Sequence, residues 1–155
     1  MHTWERAHNG TVGRPMEILL VEDDLDDAGM TIDALKQGHV RCRVSLVRDG
    51  EEAMAFLRRE GRFLQAPRPD LILLDLQLPK KEGREVLVEV RGDASLGRVP
   101  VVVLTSSRAH RELVEAEGLR VESYLIKPVD MAQFIDLVRK LRKFWLADVV
   151  LPKLD

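Results

Sequence analysis

Apolar and polar positions in this chain repeat on two different periods, and the change from one to the other recurs five times along its length. Continuous or alternating apolar runs near 17–22, 41–47, 70–75, 99–105 and 121–126 read as strands. Residues near 25–37, 51–60, 84–91 and 108–117, and a last stretch from about 130 to 149, carry apolar residues at helical spacing. The inward faces are Ala28, Ile32 and Leu35, then Ala53, Phe56 and Leu57, then Val86, Leu87 and Val90. Segment 108–117 offers only Ala109, Leu113 and Ala116, so it is weakly anchored and free to shift. Regular strand and helix alternation predicts an α/β fold built on a parallel sheet.

Strand order follows from how apolar each run is. Strands covered on both faces read as unbroken apolar runs, and edge strands are mixed. The first, third and fourth runs are unbroken. The second mixes Arg41, Arg43 and Ser45 with Cys42, Val44 and Leu46, and the fifth contains Glu122 and Ser123. Placing the mixed runs at the edges gives the doubly wound order 2-1-3-4-5, with its switch point between the first and third strands.

Each of four strands ends on a reactive residue. Ile18–Val21 leads into Glu22, Asp23 and Asp24, Leu71–Leu74 into Asp75, Val101–Leu104 into Thr105, and Tyr124–Ile126 into Lys127. A parallel sheet aligns its carboxyl ends along one edge, so these residues converge despite their distance in sequence. Carboxylates gathered at Glu22, Asp23 and Asp75 repel one another unless a proton or cation neutralises them. An all-oxygen donor set without histidine or cysteine favours Mg²⁺ over zinc. A strand-end carboxylate beside a cation, a hydroxyl and a lysine has the parts for attack on phosphorus. Asp75 would be the acceptor, Lys127 and the cation would supply positive charge, and Thr105 a hydrogen bond.

Composition narrows the picture further. With 155 residues, 45% hydrophobic and 32% charged, the chain suits one domain with a real core. A formal net charge of −2 gives no electrostatic reason to expect nucleic acid as a partner. The single cysteine, Cys42, cannot close an internal disulfide and reads as edge-strand packing. No apolar stretch approaches the roughly 20 residues that span a bilayer, and residues 1–15 lack the apolar core of a secretory signal, so a cytoplasmic location is expected. Residues 1–15, with Asn9, Gly10, Gly13 and Pro15, read as a flexible arm despite Trp4. His2, His8, His39 and His110 show no metal-ligand spacing.

Five motifs in order give the chain a family resemblance: Val21-Glu22-Asp23, the run Leu74-Asp75-Leu76-Gln77-Leu78-Pro79 followed by Gly83, Leu104-Thr105-Ser106, Tyr124, and Lys127-Pro128. Over residues 16–145 the chain resembles the receiver domains of two-component response regulators, a flavodoxin-like (βα)5 fold. The resemblance implies phosphorylation of Asp75 by a histidine kinase or a phosphotransfer protein. It implies Mg²⁺ held by Asp23, Asp75 and the Gln77 backbone carbonyl, with Glu22 acting through a water. It also implies that Lys127 pairs with the phosphoryl oxygens, that Thr105 and Tyr124 form the switch, and that Lys127-Pro128 is cis. Glu82 departs from the Asp or Asn usual before the glycine, which bears on loop geometry. Gln77 and Ser107 occupy positions that tune hydrolysis of the acyl phosphate in that family.

Other acids near the first strand have ordinary readings. Asp24, Asp26 and Asp27 open a helix, where acids cap or favour the dipole, although Asp24 adjoins Asp23 and is also a candidate ligand. Lys80 and Lys81 read as solvated loop charges that could meet an acidic kinase surface. Beyond Lys127 only 28 residues remain, too few for an output domain. A helix from Asp130 to about Val149 would run about 30 Å, past the end of a short strand. Its distal residues Phe144, Trp145, Leu146, Val149, Val150 and Leu151, with residues 146–155 as an extension, suggest a homodimer contact rather than an exposed patch, the alternative being a tail folded back onto its own core. The Lys-Lys loop, Lys127-Pro128-Val129-Asp130 and Phe144-Trp145-Leu146 resemble small single-domain regulators serving phytochrome-type histidine kinases. The expected function is thus a non-enzymatic signalling relay. Alternatives are an unphosphorylated dimerisation scaffold and a haloacid-dehalogenase-type phosphatase, which would need an acid where Gln77 stands.

Overall fold

A computed structural model describes residues 14–38, 41–78, 80–105, 118 and 120–140. Residues 1–13, Pro79, Ser106, Ser107, segment 108–117 and residues from 141 onward lie outside them, as do the expectations stated for those positions. Among the described residues, five strands form one parallel sheet: β1 (Met16–Val21), β2 (Cys42–Val47), β3 (Leu71–Asp75), β4 (Val101–Thr105) and β5 (Ser123–Ile126). Their order is β2-β1-β3-β4-β5, as the apolar runs predict. Register is continuous across the middle of the sheet, where Val21 pairs with Leu74 and Asp75 with Leu104. Thr105 pairs with Ile126 one step further along.

Burial explains that order. Every residue of β3 and β4 is buried, whereas β2 buries only Val47 and β5 only Leu125. Alternate side chains of the central strands enter two separate cores. Leu19, Val21, Ile72, Leu74, Val101 and Val103 pack with α2 (Gly50–Arg58) and α3 (Gly83–Gly92). Ile18, Leu20, Leu71, Leu73, Val102 and Leu104 pack with α1 (Leu25–Gln37) and with Phe134 and Val138 of α4 (Met131–Lys140). Covering both faces of a parallel sheet is what makes its central strands apolar without alternation.

Helix starts are set by short acids. Asp24 caps α1, accepting from the backbone N–H of Asp26 at 2.9 Å and of Asp27 at 3.1 Å. Asp49 caps α2 through the Glu52 N–H at 2.8 Å, and Asp130 receives the Ala132 N–H at 2.8 Å at the start of α4. Before α3, the Glu82 N–H donates to Glu85 at 3.0 Å, so the unusual glutamate ahead of Gly83 serves the helix start. On α1 the fully buried residues are Ala28, Thr31 and Leu35, with Ile32 half-buried beside them. The Lys127-Pro128 bond is cis.

Candidate functional site

Strands β1, β3, β4 and β5 all run toward the same edge, and their ends bring the predicted residues together. Glu22 is fully buried just past β1, held by its own N–H on the Val47 carbonyl at 3.0 Å. Asp75, at the end of β3, is 3% exposed. Its Oδ1 accepts the Gln77 N–H at 2.9 Å, and its Oδ2 accepts from Lys127 Nζ at 2.8 Å. Gln77 therefore sets its peptide against the Asp75 carboxylate while its side chain faces solvent. Lys127 follows β5, where its backbone N–H is bound by the Thr105 carbonyl at 3.0 Å. Thr105 itself is buried at the end of β4.

One carboxylate oxygen from each of Glu22, Asp23 and Asp75 lies within 4.8 Å of the other two. At an effective dielectric of about 20, like unit charges at such a separation repel by roughly 3 kcal/mol or more. Lys127 offsets part of this, reaching Glu22 Oε1 at 2.6 Å as well as Asp75. One ammonium cannot neutralise three acids, and Glu22 is also fully buried. Burial, then the hydrogen bond to Asp75, push its pKa from 4.5 up to about 7, against the pull of Lys127. The pKa of Lys127 is raised as well: burial disfavours its charge, but Asp75, Glu22 and Asp27 outweigh it and hold the ammonium above its ordinary range. The three oxygens, with no nitrogen or sulfur donor among them, fit a hard divalent cation.

Two acids at the start of α1 part ways. Asp24, a candidate ligand because it adjoins Asp23, spends its side chain capping α1 and stays outside the trio. Asp27, an expected dipole partner, instead reaches Lys127 Nζ at 3.0 Å. Helical side chains tilt toward the helix N-terminus, so a first-turn acid on α1 leans back over the sheet edge. That tilt was the available signal for Asp27. Arg48 is a further neighbour that sequence gives no reason to expect, its guanidinium donating to the Asp23 carbonyl at 3.1 Å.

Tyr124 is half-buried on β5, opposite Val103, and packs against the core shared with α2 and α3. Lys80 is exposed, as a solvated loop charge would be, and Lys81 is half-buried. Lys80 Nζ stands 3.5 Å from Asp49 of the α2 cap, and Lys81 is ion-paired to Glu89 of α3. Both contacts tie the loop after Asp75 to neighbouring helices.

The fold is shared with known proteins. The family model for the response regulator receiver domain matches residues 18–139. Response regulator Rcp1 of Synechocystis sp. is 43% identical over 138 residues, covering 89% of this chain and 94% of its own. The Mn²⁺-bound crystal form of Rcp1 superposes with a TM-score of 0.68 at 42% identity, over 90% of this chain and all of that one. The bacteriophytochrome response regulator AtBRR gives a TM-score of 0.79 at 40% identity, covering 85% of this chain and 96% of that one. For the phosphorylated cyanobacterial phytochrome response regulator RcpA the values are 0.69 and 45%, over 90% and 99%.

Proposed function

The chain belongs to the response regulator receiver family, and from that premise we propose that it accepts a phosphoryl group on Asp75 and changes its partner preference as a result. The observation that carries this reading is the 2.8 Å contact of Lys127 Nζ with Asp75 Oδ2 beside the acidic trio. In the proposed step, an Asp75 carboxylate oxygen bonds to the phosphorus of a kinase phosphohistidine as the P–N bond breaks. The electron pair stays on the imidazole nitrogen, and Asp75 becomes an acyl phosphate. Lys127 is positioned to neutralise the transferring oxygens, which is where phosphoryl transfer needs help most. Mg²⁺ is the cation proposed for Glu22, Asp23 and Asp75, with the Gln77 carbonyl as a further ligand and Glu22 acting through water; when bound it supplies positive charge to the phosphoryl oxygens. Mn²⁺ in Rcp1 and the oxygen-only donor set support it.

Thr105 and Tyr124 form the proposed switch. A buried hydroxyl one register step beyond Asp75, and a half-buried tyrosine on the adjoining edge strand, are placed to respond to new charge at the acceptor. The kinase proposed is of the phytochrome type, which the similarity to RcpA and AtBRR supports. Residues 16–145 form the receiver in this reading, with 1–15 as an arm and 146–155 as an extension, and the apolar residues from Phe144 onward favour a homodimer. No helix among the described residues is long and apolar enough to cross a membrane. The phosphatase alternative gains nothing from Gln77, which offers Asp75 a backbone N–H and carries no acid.

Intact mass measurement tests the reading. With Mg²⁺ and acetyl phosphate, the parent should gain one phosphoryl group and Asp75→Asn none. Equal labelling of both, or of neither under conditions that label a known receiver, would overturn it, and release of phosphate from many donors would point to a phosphatase.

A further inference from the structure

Among the described residues, three carboxylates meet the Lys127 ammonium: Glu22 at 2.6 Å, Asp75 at 2.8 Å and Asp27 at 3.0 Å. An ammonium has three N–H donors, so these contacts occupy all of them. Two of the three partners have other work. Glu22 and Asp75 belong to the trio that fits a divalent cation, and Asp75 is the proposed acceptor. Asp27 lies outside that trio and comes from a different element, the first turn of α1, which the Asp24 cap and the buried Ala28 hold in place.

We propose that Asp27 is a positioning residue for phosphoryl transfer, holding Lys127 Nζ beside the acceptor while Glu22 and Asp75 are engaged by cation and phosphorus. The proposal rests on the receiver reading of Asp75. With acetyl phosphate as donor, a carboxylate oxygen of Asp75 forms the new bond to phosphorus as the bond to acetate breaks. Acetate leaves with the electron pair, and no proton need move. Lysine is a point charge on a flexible four-carbon stem. Once its bonds to Glu22 and Asp75 are contested, the α1 carboxylate is what keeps it from swinging into solvent, and positional freedom at a reacting centre is lost rate. With its side chain 36% exposed, Asp27 can be changed without opening the core.

The test uses the full chain with Asp27→Asn, which keeps the shape and removes the charge, and Asp27→Glu, which keeps the charge. Phosphorylation by acetyl phosphate is timed at saturating Mg²⁺, and Mg²⁺ affinity is measured separately by calorimetry. Asp27→Asn should slow phosphorylation about fivefold, the factor that a partly exposed charged contact can supply, with the Mg²⁺ dissociation constant changed by less than about threefold. Asp27→Glu should recover part of the rate. In a Lys127→Gln background Asp27→Asn should make no further difference, because its effect passes through the lysine. An unchanged rate, or equal slowing in both backgrounds, would overturn the proposal while leaving Asp75 as acceptor. Failure of the parent to gain any phosphoryl group would remove the receiver reading and this one with it.

Discussion

Gly83 opens α3 directly against the backbone of Asp75, the proposed acceptor: a Cβ built on it would stand 2.3 Å from the Asp75 carbonyl oxygen and 2.7 Å from Leu76 Cα. Its N–H also donates to the Leu76 carbonyl at 3.2 Å. The glycine after the acceptor run is therefore required by close approach, since both obstructing atoms are backbone and neither can swing aside.

Gly83→Ala should cost about 2 kcal/mol, in the range typical of overpacking, and displace Asp75 from Lys127. A Cβ built on Gly92, at the other end of α3, would meet nothing within 4 Å. Gly92→Ala should be neutral or stabilising, by up to about 1 kcal/mol. Urea unfolding of the two variants checks this, and equal destabilisation would show that packing at Gly83 is not the cause.

Glu22 should make the metal-free protein lose stability as pH rises. Its folded pKa of about 7 exceeds its ordinary 4.5, so the folded state holds a proton that the unfolded chain releases. The contribution is complete below about 4.5 and is lost as pH rises through about 7. Subtracting the stability of Glu22→Gln from that of the parent across pH 4 to 8 isolates it. The difference should fall through that window and then level off, and saturating Mg²⁺ should flatten it, because cation and proton answer the same charge.

Asp24 should behave as a cap and nothing more. Asp24→Ala is expected to lower stability by about 1 kcal/mol, the usual loss for a helix N-cap, and to leave the Mg²⁺ dissociation constant within about twofold of the parent. A tenfold loss of affinity, read by calorimetry, would return Asp24 to the proposed cation ligands.

Cys42 should be slow to alkylate in the native protein. Burial, and then the charge of Glu17, push its thiol pKa from 9.0 up to about 11. The thiolate fraction at pH 8 is then about a hundredfold smaller than for a free thiol. Iodoacetamide labelling followed by mass spectrometry, with and without urea, should show at least that contrast, and a fast native reaction would place the thiol at the surface.

Much of this protein is legible in its sequence because periodicity is a local property. Helix α1 spans Leu25–Gln37, matching the apolar spacing. The mixed character of Arg41–Leu46 and of Glu122–Ser123 sends β2 and β5 to the edges, since a strand's composition records how many of its faces are covered. Strand ends then carry Glu22, Asp75, Thr105 and Lys127 to one edge, because a parallel sheet leaves its carboxyl ends nowhere else to go.

Only the tertiary structure decided which of those residues touch. Asp24 and Asp27 are the same residue type three positions apart at one helix start, yet one binds its own helix and the other reaches a lysine 100 residues away. Arg91, unremarked in sequence, fastens the carbonyls of Gly97, Val99 and Arg120 and so joins the entries to β4 and β5. Lys81, polar enough to read as solvated, finds Glu89 on the helix that follows. Such pairings depend on the direction in which each side chain leaves its backbone and on which distant element packing brings within about 3 Å. Hydrophobic spacing selects the elements and their order because burial depends on composition summed over a face; a hydrogen bond depends on the position of single atoms, which exists only once the faces have closed.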